Sequence, residues 1–483
     1  MTATTRTTRA APLCTTFQPP VVFPSVEFAV FFPVVLAASW ALMPHPRAWK
    51  PFALAVSYVF YAAADPKFCL LLAGVTLANQ AGATLVTRTD SERSKNVIVA
   101  ATVGLDLLAL AFFKYYGFFV DGVDRLLADG GLGAPLPLLT VALPVGLSFF
   151  TFQAISYTVD VRRGLCERAK TIDVAIYLSF FPHLVAGPIV RAREFLPQLA
   201  SPRDPRDVPV GAGVLLIAFG LVKKVVIADF LARSIVDPVF AVPEAYGAPD
   251  AWAALLSYAV QIYCDFSGYT DIAIGLALLM GFVFPQNFDR PYRARSVREF
   301  WRRWHMTLSR FLRDFLYIPL GGNRGGAWRT ARNLMITMLL GGLWHGAAWG
   351  FVLWGGLHGA ALVVEHALRG RARLPAIVAW AATFLFVCLA WIPFRAPDLD
   401  TAWAYAERLV TPGPSTLLTP GVAAAVLGVL ALQLLPERPL DALRERLQAL
   451  DPVPLGAALA VVVALVAASV PGNAVPPFIY FQF

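Results

Sequence analysis

The sequence predicts an all-α polytopic membrane protein with about ten to twelve transmembrane helices, together with re-entrant and in-plane amphipathic segments. Three observations predict it. The chain is 58% hydrophobic and only 15% charged, whereas soluble domains carry about 25% charged residues, and its mean hydropathy is +0.62. Apolar runs of about 18–22 residues recur along it, long enough to cross a bilayer core. The basic charge is also concentrated. From Asp289 to Arg332, eleven Arg oppose Asp289, Glu299 and Asp314, giving +8 of a whole-chain net charge of +9. A basic block embedded among spans marks the cytoplasmic face of a plasma membrane rather than a nucleic-acid surface.

The elements follow in order. Residues 1–20 are Thr-rich and basic, and are expected to form a disordered tail before a single transmembrane domain over residues 21–483. Spans are expected at about Phe23–Met43, Pro51–Ala64, Phe68–Val86 and Val97–Phe113. The last of these ends at Lys114-Tyr115-Tyr116, which suits an interfacial belt. Another span covers Leu143–Val161, and the basic loop VRRGLCERAK follows it. Ile172–Val190 is apolar but interrupted by Pro182, His183, Gly187 and Pro188. It reads either as a broken helix lining a cavity or as a loop between two short helices. Val208–Leu221 is expected to stop at Lys223-Lys224. Ala251–Cys264 and Ile272–Phe284 flank Asp265 and Asp271, carboxylates that are costly at membrane depth unless paired or facing water. Later spans lie near Leu374–Phe394, Pro420–Leu435 and Leu455–Val470. The cysteines Cys14, Cys69, Cys166, Cys264 and Cys388 are scattered and without metal-ligand spacing.

The chemistry concentrates between Pro285 and Gly359. Ser296-Val297-Arg298-Glu299 is a capping box. At 100° per residue, Phe300, Trp301, Trp304, Leu308, Phe311, Leu312 and Phe315 share one face, with Arg302, Arg303, Arg310, Arg313 and Asp314 opposite. This predicts one amphipathic helix lying in the membrane plane. His305 falls at the edge of its apolar face. It reads either as a packed histidine or as a polar group at the mouth of a cavity. A second helix starting near Asn333 places His345 about 20 Å deep, near the middle of the hydrocarbon core. An ionisable group at that depth marks a functional site, and a neutral imidazole there suits a general base acting on a hydroxyl nucleophile. Metal binding competes poorly. His345 and His358 are about 220° apart on one continuous helix, and share a metal only if it breaks at Gly355-Gly356. Neither HExxH nor GxSxG is present.

The runs FWRRWHMTLSRFLRDFLYIPLGGNR and GGLWHGAAW resemble the membrane-bound O-acyltransferase family, in its bacterial polysaccharide O-acetylation branch. LPVGLSFFTFQAISYTVDV, FPHLVAGPIVRAREFLPQL, YAVQIYCDFSGYTDIAIGLALLMGF, WIPFRA and the terminal FIYFQF extend the resemblance, which is strongest over residues 143–396. His183 departs from it where a Gln is expected. The resemblance implies a ring of helices around a central funnel in a bacterial plasma membrane. His345 matches the family's catalytic histidine and His305 its second histidine. A cytoplasmic donor such as acetyl-CoA is implied, with no tightly bound cofactor or metal. The partners implied are membrane lipid, an extracytoplasmic acetyltransferase and a polysaccharide acceptor. Arg302, Arg303, Trp304, Asn323, Trp344 and Asp265 are the candidate donor- or substrate-binding residues. The arginines serve either an anionic donor or lipid head groups. The C-terminal helix and aromatic tail (residues 453–483) contain Tyr480, read either as a belt anchor or as a phenol that relays the acyl group outward. D-alanyl transfer to teichoic acid and a transporter or flippase are the competing functions.

Overall fold

The computed structural model describes residues 23, 25–129, 142–185, 187–200, 203–368, 374–436, 445–446 and 452–469. The expected N-terminal tail, residues 1–20, and Tyr480 lie outside the described residues. Regular structure within them is entirely helical. Five helices are long and apolar enough to cross a membrane, and two shorter apolar helices accompany them.

The chain begins α1 (Val26–Leu42), α2 (Pro46–Ala62), α3 (Pro66–Arg88), α4 (Glu92–Asp129) and α5 (Leu147–Arg162). Two short helices follow, α6 (Thr171–Ser179) and α7 (Phe181–Leu184), and then the surface helix α8 (Ala192–Ala200). Two long helices come next, α9 (Val210–Ala241) and α10 (Ala248–Leu279). The short pair α11 (Val297–Arg303) and α12 (Met306–Leu312) leads to α13 (Ala327–His345) and α14 (Trp349–Ala367). The chain closes with α15 (Ala376–Arg395), α16 (Leu399–Arg408), α17 (Pro420–Leu434) and α18 (Pro452–Ser469). The helices join two polar faces. On the arginine-rich face, Arg162 bonds Glu92 at 2.5 Å and Arg191 bonds Asp314 at 2.8 Å. On the far face, Arg395 bonds Asp237 at 2.7 Å and the Thr416 amide donates to Asp250 at 2.8 Å.

Several sequence expectations change. α4 does not end at Lys114 but continues for 38 residues in all, about 57 Å at 1.5 Å per residue. α9 does not stop at Lys223-Lys224, and α10 is one helix through Asp265 and Asp271. These two corrections have one cause. Lys224 Nζ lies 2.7 Å from Asp229 and 2.6 Å from Asp265, and Lys223 lies 2.6 Å from Asp271. Charges that would each terminate a span neutralise one another, Lys224 with Asp265 and Lys223 with Asp271 across the helix pair and Lys224 with Asp229 within α9. The backbone widens into a π-helical turn at Val222–Ala228, where both lysines sit. Glycines let the helices approach closely enough to pair. Gly213 and Gly220 on α9 face Gly275 and Gly268 on α10, with seven-residue spacing on both helices. A Cβ on Gly220 would lie 2.5 Å from the Gly268 oxygen, and one on Gly275 would lie 2.6 Å from the Gly213 oxygen.

The interrupted stretch forms two short helices, α6 and α7, followed by extended backbone that is packed within the protein. Its non-helical backbone finds protein partners, as membrane depth requires. The Phe181 amide donates to Ser57 Oγ at 3.3 Å and the Ile189 amide to Thr307 Oγ1 at 3.0 Å. The Tyr177 hydroxyl donates to the Val190 carbonyl at 2.9 Å, and His183 Nε2 lies 2.8 Å from the Tyr177 carbonyl.

The buried Lys224 triad sets the first prediction. Lys224→Met leaves Asp229 and Asp265 without their shared cation, a loss of about 3–5 kcal/mol for a broken buried ion pair. A clear fall in melting temperature in detergent is expected, and a wild-type value would refute the account.

Candidate active site

The in-plane segment is not the single helix that its pattern predicts. Its start is as expected: Ser296 Oγ accepts the Glu299 amide at 3.0 Å. Glu365 of α14 adds a second cap, accepting the amides of Val297 and, at 3.1 Å, Arg298. The helix then stops at Arg303, and His305 adopts the left-handed conformation at φ 43°, ψ 53°. That backbone costs a non-glycine residue about 1–2 kcal/mol, so something must hold it. Asn287 does. Its Oδ1 accepts from the Thr307 amide at 3.1 Å and from the Thr307 hydroxyl at 2.8 Å, and its carbonyl accepts the Met306 amide at 2.9 Å. His305 Nδ1 lies 3.2 Å from the same Oδ1. A backbone amide can only donate, so this atom of Asn287 is the oxygen, and His305 Nδ1 must carry the hydrogen. In the neutral ring Nε2 is then the basic nitrogen, and it makes no hydrogen bond among the described residues. The sequence pattern does not single out Asn287. Its only signal was an amide immediately before the basic block.

His345 closes α13, which begins at Ala327 rather than near Asn333. Gly346 is extended beyond it and the chain reverses into α14 at Trp349. The break that separates His345 from His358 therefore falls at residues 346–348, not at Gly355-Gly356. The Trp354 ring lies 5.0 Å from that of His345 and 4.8 Å from that of His358. His358 Nδ1 accepts the Trp301 indole N–H at 3.2 Å. No cluster of three or more metal-ligating side chains occurs among the described residues. His345 is 3% exposed and sits within aromatic walls, with Trp344 at 5.0 Å and Phe394 at 5.3 Å. Trp344 also faces His305, at 5.9 Å between ring centres, so one indole touches both histidines.

A cleft of about 800 Å³ lies among α11, α12, α13 and α14. Its basic lining is Arg298, Arg302, Arg310 and Arg313, and its deeper wall includes Leu334, Thr337 and Met338 of α13. At 100° per residue those three share a face with Gly341 and His345. His345 lies two turns beyond Met338, about 10 Å along the helix axis.

The six candidate binding residues divide. Arg302 and Asn323 line the cleft. Trp344 lies between the histidines. Arg303 does not line it: its guanidinium is tied to Asp289 at 2.6 Å and Glu299 at 3.0 Å. Trp304 is also elsewhere, stacked on Phe300 at 5.5 Å and 5.2 Å from Trp391 in the core. Asp265 belongs to the Lys224 triad. Arg310 and Arg313 are held by Glu194 at 3.1 Å and Asp314 at 2.6 Å. Arg298 and Arg302 make no ion pair among the described residues, and both line the cleft.

A sequence model of the membrane-bound O-acyltransferase family matches residues 137–393, which span both histidines and the cleft. The chain belongs to this family. A probable alginate O-acetylase of Pseudomonas aeruginosa is 43% identical over 364 residues, covering 74% of this chain and 69% of the relative. A peptidoglycan O-acetyltransferase of Helicobacter pylori is 37% identical over 399 residues, covering 76% and 74%. A teichoic acid D-alanyltransferase of Streptococcus thermophilus is 31% identical over 235 residues, covering 46% and 57%. Membership makes the protein a multi-pass membrane enzyme of the acyltransferase class and removes the case for a transporter.

Asn287 carries a prediction. Asn287→Ala strands three buried donors, each worth about 1–3 kcal/mol when unpaired, and frees the His305 turn. A loss of acyl-transfer kcat of at least about tenfold is expected. Asn287→Asp, which still accepts, should retain more activity, and equal activity in the two variants would contradict the tautomer assignment.

Proposed function

We propose that this acyltransferase moves an acetyl group from a cytoplasmic thioester donor, acetyl-CoA or a similar carrier, toward a hydroxyl of a secreted or cell-wall polysaccharide. The observation that carries the reading is the arginine-lined cleft, whose wall residues Leu334, Thr337 and Met338 belong to the helix that ends at His345 and share its face. Arg298 and Arg302 offer guanidinium groups to a donor's phosphates. The arginine-rich face is then cytoplasmic and the membrane is the bacterial inner membrane.

In this reading His345 is the general base. It takes the proton of the attacking hydroxyl as that oxygen bonds the acetyl carbonyl carbon. The tetrahedral intermediate collapses by breaking the carbon–sulfur bond, and the departing thiolate takes the proton back from the imidazolium. His305, with its lone pair at Nε2, orients the donor or acceptor across Trp344. Acetyl is favoured over D-alanyl because the acetylating relatives are more similar over more of the chain. An extracytoplasmic acetyltransferase completes delivery to the polymer, with Tyr480 as a candidate relay nucleophile.

Two measurements test this. Purified protein with radiolabelled acetyl-CoA should transfer label, and His345→Ala should lower kcat by about 10²–10⁴-fold, the usual range for a general base. Unchanged transfer would remove the assignment. Arg298→Ala combined with Arg302→Ala should raise the donor KM about tenfold or more with kcat nearly constant, the signature of lost ground-state binding. If the arginines only hold lipid head groups, KM will not move.

A further inference from the structure

Lys114 and Tyr115 sit in the middle of α4, yet both side chains turn to the end of α13. The Tyr115 hydroxyl donates to the Leu343 carbonyl at 2.8 Å. Lys114 Nζ donates to the carbonyl of Trp344 and, at 3.1 Å, to that of His345. Three consecutive carbonyls at the helix terminus are thus satisfied from one neighbouring helix. The same ammonium lies 5.7 Å from the Trp344 ring centre and 3.4 Å from Ser148 Oγ.

A helix leaves its last four carbonyls without internal partners, and its C-terminus carries about −0.5 of a charge. In α13 this end coincides with His345. Left bare in an apolar aromatic pocket, those carbonyls would fray or draw in water, and the imidazole would move with them. Their partial negative charge would also oppose the oxyanion that forms when a hydroxyl attacks an acyl carbonyl. A lysine answers both needs, supplying donors and a compensating positive charge.

We propose that Lys114, assisted by Tyr115, is a positioning clamp that fixes His345 for acyl transfer by capping the terminal carbonyls of its helix. The inference rests on the reading of His345 as general base. Lys114 donates to backbone and does not itself handle the reacting atoms.

The test uses the full-length protein in detergent or proteoliposomes with acetyl-CoA as donor. Lys114→Met should lower kcat by about 10–100-fold, the scale of a 1 Å misplacement, while the donor KM stays within about twofold. Lys114→Arg, which keeps the charge and the donors, should recover most of the loss. Because a smaller folded fraction would also lower apparent kcat at constant KM, kcat is normalised to folded protein, and the fall is expected to persist in a variant whose melting temperature matches wild type. If Lys114→Met does not purify as a monodisperse species, Tyr115→Phe removes a single hydroxyl and carries the same test, with a smaller fall in kcat alone expected. Wild-type kcat in either purified variant, or a loss confined to KM, overturns the clamp. Failure of the general-base reading is seen separately, as activity surviving in His345→Ala.

Discussion

Two helices end inside this protein, one at His305 and one at His345, and every backbone group freed there needs a partner where water is scarce. That constraint organises the site. Asn287 supplies the acceptors at the first break, and Lys114 and Tyr115 supply the donors at the second. The interrupted stretch obeys the same rule and is tied to the first break, because Thr307 donates to Asn287 and accepts from Ile189. A helix that ran on through either histidine would point the imidazole by helical geometry alone. A capped break lets the chain aim it independently, at the cost of dedicated side chains elsewhere.

The long helices make those breaks tolerable. α9 and α10 are joined by reciprocal glycines and by two ion pairs that cross between them, Lys224–Asp265 and Lys223–Asp271, while Asp229 holds Lys224 from within α9. Buried charge contributes specificity here rather than net stability. Seven-residue glycine spacing alone permits more than one register between two apolar helices. The pairs from Lys224 to Asp265 and from Lys223 to Asp271 select one.

Much of the architecture was legible in the sequence because it depends on quantities additive along the chain: apolar length, charge density and punctuation by Pro and Gly. The two histidines were legible through the rarity of ionisable groups in apolar sequence. What escaped depends on pairing. Lys223-Lys224 reads as a stop signal until Asp265 and Asp271, some 40 residues later, are placed beside it. Lys114-Tyr115-Tyr116 reads as an interfacial belt because nothing local shows that α13 ends next to it. The helix break at His305 was hidden for a related reason. Its apolar periodicity continues from Phe300 to Phe315 across the break, and only Asn287, outside the periodic run, reveals that the backbone turns there.

The basic block shows most clearly why a charge count is not a charge map. Its arginines have different tasks according to what lies opposite each. Arg303 joins Asp289 to Glu299 and secures the start of the in-plane pair. Arg310 anchors the same pair to α8 through Glu194. Asp314, which Arg313 neutralises, also receives Arg191 from the extended backbone after α7. Burial alone would raise the Asp314 carboxyl, but hydrogen bonds from Arg313 and Arg191 outweigh it and hold the group below its ordinary range. These pairs are structural, and their fields largely cancel beyond a few ångströms. Arg298 and Arg302 make no ion pair among the described residues, and both stand on the wall of the cleft, beside the paired Arg310 and Arg313. An anion entering that cleft therefore meets guanidinium charge that the block's own carboxylates have not claimed.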